Sequence, residues 1–427
     1  MKIALASWNR KKFGGVETYL DTVIPGLVRA GHELAHLCEV ALPAERAAIG
    51  LPPGTPVWCG DDLGSGEILA RLAAWQPTVI FDHGLRDPAL EDALLRLAPT
   101  VFYTHDYYGA CISGAKSFAF PHTRPCGCAF SWRCLARFYP RRCGGLNPVT
   151  MARLYRHEMG RLARLRRYGA IVVGSEHMRR ELLRQGLEPK RVRMLVPPIV
   201  DQVERRAARG AATSTRKEWR LLFAGRMVHL KGGELLLQAL PLAAAALQRP
   251  LRLVMAGDGP ARAGWEMIAE RMTTGRRDLT VEFPGWLEAA ASAEVVARSD
   301  LLVMPSLWPE PFGLAGLEAG FAGVPSVAFA VGGIPEWLID GQNGHLAPGD
   351  PPTVAGLAAA IVRSLADAAH HAELSRGARA ATGRFSLVPH VDQLIEVFEE
   401  ARARRDDRVQ RMRERSPERA AAGGIAE

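Results

Sequence analysis

No stretch of this chain reads as a clean membrane span. The longest uncharged run, Ala319 to Pro335, is broken by Gly320, Gly323, Pro325, Gly332 and Gly333. It cannot supply the roughly 20 continuous helical residues a bilayer needs. A charged start followed by an apolar leader is missing too, so the chain is expected to be cytoplasmic. Cysteine is scarce. Seven among 427 residues is an odd number, which argues against a secreted disulfide scaffold. Aromatic residues make up only 7%, and acidic residues are outnumbered, 45 against 54 Lys and Arg, for a formal net charge of +9. With 48% hydrophobic and 23% charged residues, the composition is globular and long enough for two or three domains.

The charges and cysteines that are present are unevenly placed. Residues 1–200 hold 27 basic and 17 acidic residues, while the remainder is nearly neutral. A basic first half suits an anionic partner, either a membrane surface at its inner face or an anionic acceptor. A solvated Arg-rich helix face explains the same excess. No nucleic-acid recognition module is present, so nucleic acid is not an expected partner. Five of the seven cysteines, Cys111, Cys126, Cys128, Cys134 and Cys143, fall within 33 residues.

Short apolar runs alternate with helical patterns. KIALAS, HELAHLCEV, PTVIFDHG, PTVFYTHD, GAIVVGS and RVRMLVPPIVD read as strands. Helices are expected from Val16 to Ala30, in ARLYRHEMGRLARLRRYG, and in SEHMRRELLRQG with Ser175 as its cap. After a polar segment the alternation restarts with WRLLFAGR, LRLVMAGDG, LTVEFPG, DLLVMPS and PSVAFA. The pattern predicts an α/β fold of two Rossmann-like domains, each a parallel sheet covered by helices. The expected domains are 1–200, with a Cys-rich insertion at about 109–146, and 219–384, joined by a linker at 201–218. A terminal helix at 385–405 and a charged, disordered tail at 406–427 are expected to follow. Ligands of such sheets bind at the carboxyl ends of the strands, so two facing domains would form a cleft there.

Loops of one character stand at those strand ends. GRMVHLKGG offers Arg226 and Lys231 beside three glycines, and GDGP, PEPFGLAGLE and VGGIPE follow later strands. Gly14 and Gly15 follow the first strand of the chain. Free N–H groups at helix starts favour anions, and Arg226 and Lys231 add charge suited to a diphosphate. Any single glycine is explained as well by a tight turn. In WPEPFGLAGLEAG, two carboxylates, Glu310 and Glu318, interrupt an otherwise apolar stretch. Eight helical residues would separate them by roughly 12 Å. Hydroxyl groups to hold are one reason to tolerate charge there, and an internal ion pair is another.

Gly14-Gly15, then Arg226 and Lys231, then Glu310-Pro311-Phe312-Gly313 followed by Glu318, resemble the retaining glycosyltransferases of family 4, whose hallmark is a Glu, seven residues and a Glu. The resemblance runs from KIALAS to the FSLVPHVDQLIEVFEEAR helix. It implies the GT-B arrangement, two Rossmann-like domains across a cleft, with the C-terminal helix crossing back to the first. It implies transfer of a sugar from a UDP- or GDP-sugar to a glycan or lipid-linked acceptor, in polysaccharide, cell-envelope or glycolipid synthesis. Arg226 and Lys231 would neutralise the diphosphate, Glu310 would meet the sugar, and Glu318 the ribose. Phe312 and Gly313 would offer amides, and Gly14 and Gly15 would close over the donor. His105, after the FYT strand end, would lie near the reacting sugar with Asp106 beside it. No cofactor or catalytic metal is implied, because cationic side chains and helix ends do that work.

The cysteine cluster departs from the family pattern. A structural zinc held by Cys111, Cys126, Cys128, Cys134 and Cys143 is one expectation, and disulfides or a redox-labile loop are the others. Nearby arginines, such as Arg133 and Arg141, are expected to lower the thiol pKa values. Two other functions fit parts of the sequence. The GDGP loop suggests a dinucleotide-dependent oxidoreductase, although it lacks the third fingerprint glycine. A non-catalytic sugar-nucleotide or polysaccharide-binding protein would use the same fold.

Overall fold

The computed structural model describes residues 1–12, 14–41, 47–199 and 217–422. The expected linker therefore lies almost wholly outside the described residues. Two all-parallel sheets organise the chain.

The first sheet contains β1 (Lys2–Ser7), β2 (Glu33–Cys38), β3 (Val57–Cys59), β4 (Val79–Asp82), β5 (Thr100–Thr104), β8 (Ala170–Val173) and β9 (Val192–Met194), in the order β3-β2-β1-β4-β5-β8-β9. Central strands such as KIALAS are buried on both faces, which is why they read as continuous apolar runs. Helices α1 (Gly15–Arg29), α2 (Gly60–Trp75), α3 (Pro88–Leu97), α5 (Pro148–Leu165) and α6 (Glu176–Arg184) connect them. Their starts carry the expected signals. Asp87 caps α3 ahead of Pro88, Asn147 caps α5 ahead of Pro148, and the Ser175 hydroxyl accepts from Met178 N at 3.1 Å. The insertion adds a small hairpin, β6 (Ser117–Phe118) with β7 (Arg124–Pro125), and α4 (Arg133–Phe138). It has a core of its own, with Phe130 and Phe138 packed on Ile112 and on Leu162 of α5.

The second sheet contains β10 (Trp219–Ala224), β11 (Leu251–Ala256), β12 (Leu279–Gly285), β13 (Leu301–Met304), β14 (Ser326–Phe329) and β15 (Gly344–Ala347). Its order, β12-β11-β10-β13-β14-β15, is the Rossmann 3-2-1-4-5-6 order. The helices are α7 (Gly233–Leu247), α8 (Arg262–Thr273), α9 (Ala289–Arg298), α10 (Leu314–Phe321), α11 (Val354–Leu365) and α12 (Ala368–Thr382). Helix α7 with its preceding turn is apolar enough to span a bilayer, yet Leu236, Leu237, Leu240 and Ala243 are core residues of this half.

The last helix, α13 (Leu387–Ala422), crosses back as the family resemblance implies. Val391, Leu394, Val397 and Phe398 complete the core of the first half. Phe398 meets Phe81 edge-on, with ring centroids 5.1 Å apart, and His390 bonds the Tyr19 hydroxyl at 2.8 Å. The helix is longer than expected. Most of the charged segment read as a disordered tail continues it, because Arg, Glu, Gln, Met and Ala are all strong helix formers.

Candidate functional site

The second half assembles its site from loops that leave the carboxyl ends of β10, β13 and β14. Lys231, just ahead of α7, reaches across to the loop after β13. Its Nζ donates to Glu310 Oε1 at 2.5 Å, and the Ser306 hydroxyl donates to the same oxygen at 2.5 Å. The Lys231 ammonium also sits 5.3 Å from the Trp308 ring centroid. Glu310 is therefore a buried carboxylate whose charge is matched, which answers why a glutamate is tolerated there. The β14 loop packs closely against it. Gly333 N donates to Glu310 O at 2.8 Å, and a Cβ at Gly332 would lie 2.1 Å from that same carbonyl oxygen.

Helix α10 starts at this cluster. Gly313 precedes it with φ 94°, a conformation that suits glycine, and Trp337 Nε1 fixes the turn by donating to Phe312 O at 2.7 Å. Phe312 is buried, and Glu318 lies half-buried in the second turn of the helix. Arg226, directly after β10, is exposed. Lysine, glutamate, serine and the α10 start are thus gathered as a unit, while Arg226 stands exposed in the loop that leads from β10 to Lys231.

The first half offers a different surface. Gly14 and Gly15 lie exposed at the start of α1, where Gly14 N donates to Glu17 Oε2 at 3.0 Å. A Cβ at either glycine would meet nothing within 4 Å, so both face open space. His105 follows β5 and its Nε2 is 2.9 Å from Nδ1 of His83, which follows β4. Tyr103 lies beside the His105 ring, 4.5 Å between centroids, with Tyr19 at 5.6 Å. Burial lowers the His105 pKa to about 3, so the ring is neutral near pH 7 and offers one donor and one acceptor. Asp106 points into solvent.

Direct bonds tie the halves together around the β13 loop. Tyr107 donates to Pro309 O at 2.5 Å, and Ser175 to Pro311 O at 2.5 Å. Glu336 accepts from Glu176 N at 2.8 Å and His177 N at 2.7 Å, capping α6 from the other half. Ser306, Trp308, Tyr107, His83 and Glu336 were not singled out from the sequence. Only Glu336 carried a signal, as the acid that closes the VGGIPE loop.

Two expectations are corrected. The glycines of GDGP serve backbone packing: a Cβ at Gly257 would lie 2.0 Å from Gly225 O, and one at Gly259 2.4 Å from Met227 O. They give no support to a dinucleotide fingerprint. The cysteines differ from expectation as well. All seven thiols are free, and among the described residues no three His, Cys, Asp or Glu side chains are disposed to hold a metal ion. The expected zinc at Cys111, Cys126, Cys128, Cys134 and Cys143 therefore finds no support among the described residues, although Cys111, Cys134 and Cys128 lie close enough to add to burial in raising the Cys143 thiol. Their arginines do not win either. Burial raises Cys126 to about 12 and Cys143 to about 11, outweighing Lys116 beside the first and Arg141 beside the second.

Comparison with known proteins fits this geometry. The family model described as Glycosyltransferase Family 4 matches residues 13–202, and the model described as Glycosyl transferases group 1 matches residues 218–367. Between them the two matches take in both halves of the chain, and both models describe glycosyltransferases. A D-inositol 3-phosphate glycosyltransferase of Xylanimonas cellulosilytica is 37% identical over 191 residues, 44% of each chain. The matched stretch thus spans under half the length of that curated relative. Sucrose-phosphate synthase from Thermosynechococcus elongatus superposes with a TM-score of 0.68 at 20% identity, covering 94% of this chain and 99% of that one. Anabaena HepE, solved with UDP and glucose, gives 0.64 at 19% identity over 93% and 99%. These likenesses establish the GT-B fold. Glu310 and Glu318 bracket the start of α10.

Proposed function

We propose that this protein transfers a sugar from a nucleotide-diphosphate donor to a glycan or lipid-linked acceptor with retention of configuration. The observation that carries this reading is the Lys231–Glu310–Ser306 cluster at the start of α10. A donor diphosphate placed there meets the Lys231 ammonium, the Arg226 guanidinium and the free amides of the helix. The Lys231 charge is half committed to Glu310 in the free protein, so the diphosphate shares it. Glu318, one turn deeper, suits the ribose hydroxyls. Glu310 already accepts two hydrogen bonds at one oxygen, which favours holding sugar hydroxyls over attacking the anomeric carbon. Departure of the diphosphate then leaves an oxocarbenium-like centre open on the same face to the acceptor. His105, neutral, hydrogen-bonds the sugar from the other half, and Gly14 and Gly15 leave room for the donor to pass under α1. The UDP and glucose bound by HepE favour a UDP-sugar as the first donor to try.

The test is a panel of UDP-, GDP- and ADP-sugars, with release of nucleoside diphosphate measured with and without acceptor. Release from one donor is the expected result. Tight binding with no release from any donor would favour the non-catalytic binding protein, and no binding at all would sink both readings.

A further inference from the structure

We propose that the cysteine-rich insertion and the outer face of α5 form a docking surface for an anionic lipid bilayer. Twelve large apolar side chains are exposed among the described residues, and five of them fall between positions 120 and 159, under a tenth of the chain. They are Phe120, Trp132, Leu146, Val149 and Met159, with Leu146 80% and Val149 74% exposed. A monomer rarely concentrates exposed apolar groups in this way without a partner.

The same span is strongly basic. It holds seven arginines and a single acid, Glu158, which is buried and bonded to Arg161 and to Gly109 N. Arg133, Arg137, Arg141, Arg142, Arg153 and Arg156 have no carboxylate partner recorded among the described residues, whereas Arg124 lies 3.8 Å from Asp350. Helix geometry interleaves the two chemistries. In α5, Met151, Leu154, Tyr155, Glu158 and Leu162 turn inward, leaving Val149, Arg153, Arg156 and Met159 outward. In α4, Phe138 turns inward while Arg133 stays exposed. The Arg133 guanidinium lies 5.8 Å from the Trp132 ring and that of Arg142 5.1 Å from the Phe120 ring, so each ring is presented together with a cation.

Rings and aliphatic groups that insert among headgroups, flanked by guanidiniums that reach lipid phosphates, are what an anionic interface binds. A soluble polyanion would need the arginines only, and an acidic protein would not call for apolar groups scattered over a hairpin, a helix start and a helix face. The location adds a consequence. Pro125, Cys126 and Gly127 line a cavity of about 230 Å³ together with His177 and Pro309, so the insertion stands at the rim between the halves. A docked protein would open its cleft beside the membrane. That consequence, unlike the docking itself, rests on the glycosyltransferase reading.

The test is co-sedimentation of the full chain with vesicles of phosphatidylcholine alone or mixed with phosphatidylglycerol, at low and high salt. Binding is expected only to the mixed vesicles and to weaken with salt. Combined Trp132→Ser, Leu146→Ser and Val149→Ser should lower it at least about tenfold, and so should Arg133→Gln, Arg137→Gln, Arg153→Gln and Arg156→Gln together. Circular dichroism of both variants should match the parent, since every substituted side chain lies outside the core. Failure to bind mixed vesicles would overturn the proposal. Binding that survives the serine set while heparin competes it away would also overturn it, in favour of a soluble anionic partner. Donor release without vesicles is unaffected in either set, so loss of the enzymatic reading and loss of the docking reading give different results.

Discussion

The two halves share one strand order and differ in what they place at the strand ends. In the second half, glycine turns, a helix start and one buried ion pair converge within the loops of β10, β13 and β14. In the first half, the matching positions after β4 and β5 hold His83 and His105, packed on the buried rings of Tyr103 and Tyr19. A backbone-and-charge surface suits a phosphate, which offers only oxygens to bind. A neutral imidazole held by buried rings suits a hydroxyl, which both donates and accepts. On the proposed reading, one scaffold used twice would separate holding the leaving group from shaping the space in which the sugar reacts.

The sharpest way to break this comparison is to remove one member from each side. Lys231→Ala should lower kcat/KM about 100- to 1000-fold, because it deletes charge where the diphosphate develops and leaves Glu310 uncompensated. Glu318→Ala should cost at least about tenfold, mostly in KM, through the ribose contact. His105→Ala should cost about tenfold, the loss of a neutral hydrogen bond. Steady-state kinetics with the donor found in the panel measure all three. A larger loss at His105 than at Lys231 would move the catalytic burden to the first half.

The same contrast explains what could be read from the sequence. WPEPFGLAGLEAG was legible because its parts are neighbours along the chain, and the Lys231 loop carries its own glycines. The two sheets were legible because buried parallel strands are apolar throughout, although β3 and β15 went unread, the latter because Gly344 and His345 interrupt its apolar character. The first half's site was legible only at His105, Gly14 and Gly15, since only tertiary structure brings His83 to His105 or Tyr19 to His390, which lies in the last helix. The bonds of Tyr107, Ser175 and Glu336 across the halves leave no periodicity at all. The thiol expectation failed for a related reason: neighbouring arginines are visible in sequence, and burial is not.

Acid should separate the halves next. Burial lowers His36 and His105 to about 3, and His177 and His390 to about 4, and it holds His83 well below its usual value. All five belong to the first half or to the helix packed on it. Above about pH 6.5 these groups are neutral in both folded and unfolded chains and contribute no pH dependence. Below it the unfolded chain takes up protons that the folded one refuses, so stability falls as pH drops toward 4, by up to about 1.4 kcal/mol per histidine per pH unit. Asp82, raised to about 7 by burial and then by Glu91, runs the other way, as do Glu39 and Glu158, but they are fewer. Hydrogen exchange at about pH 7.5 and pH 5 should show the first sheet losing protection while the second keeps most of its own. Equal loss in both would mean that the buried histidines do not set acid stability.

The smallest expected effect separates glycines kept for packing from glycines kept for a ligand. At Gly316, in α10, a Cβ would lie 1.9 Å from Cη2 of Trp337, the residue whose indole fixes the Phe312 turn. Gly316→Ala must displace that ring, and about 1–3 kcal/mol of stability should go with it, read as a lower melting temperature. At Gly14 the backbone is extended, with φ −174°, and the added methyl meets nothing. Gly14→Ala should therefore leave stability within about 0.5 kcal/mol of the parent. Yet a methyl group projecting where a diphosphate must pass under α1 should still raise KM for the donor. A Gly14→Ala protein with normal melting and normal KM would show that this glycine serves neither the fold nor the donor, and the first half would keep only its rings as a claim on the reaction.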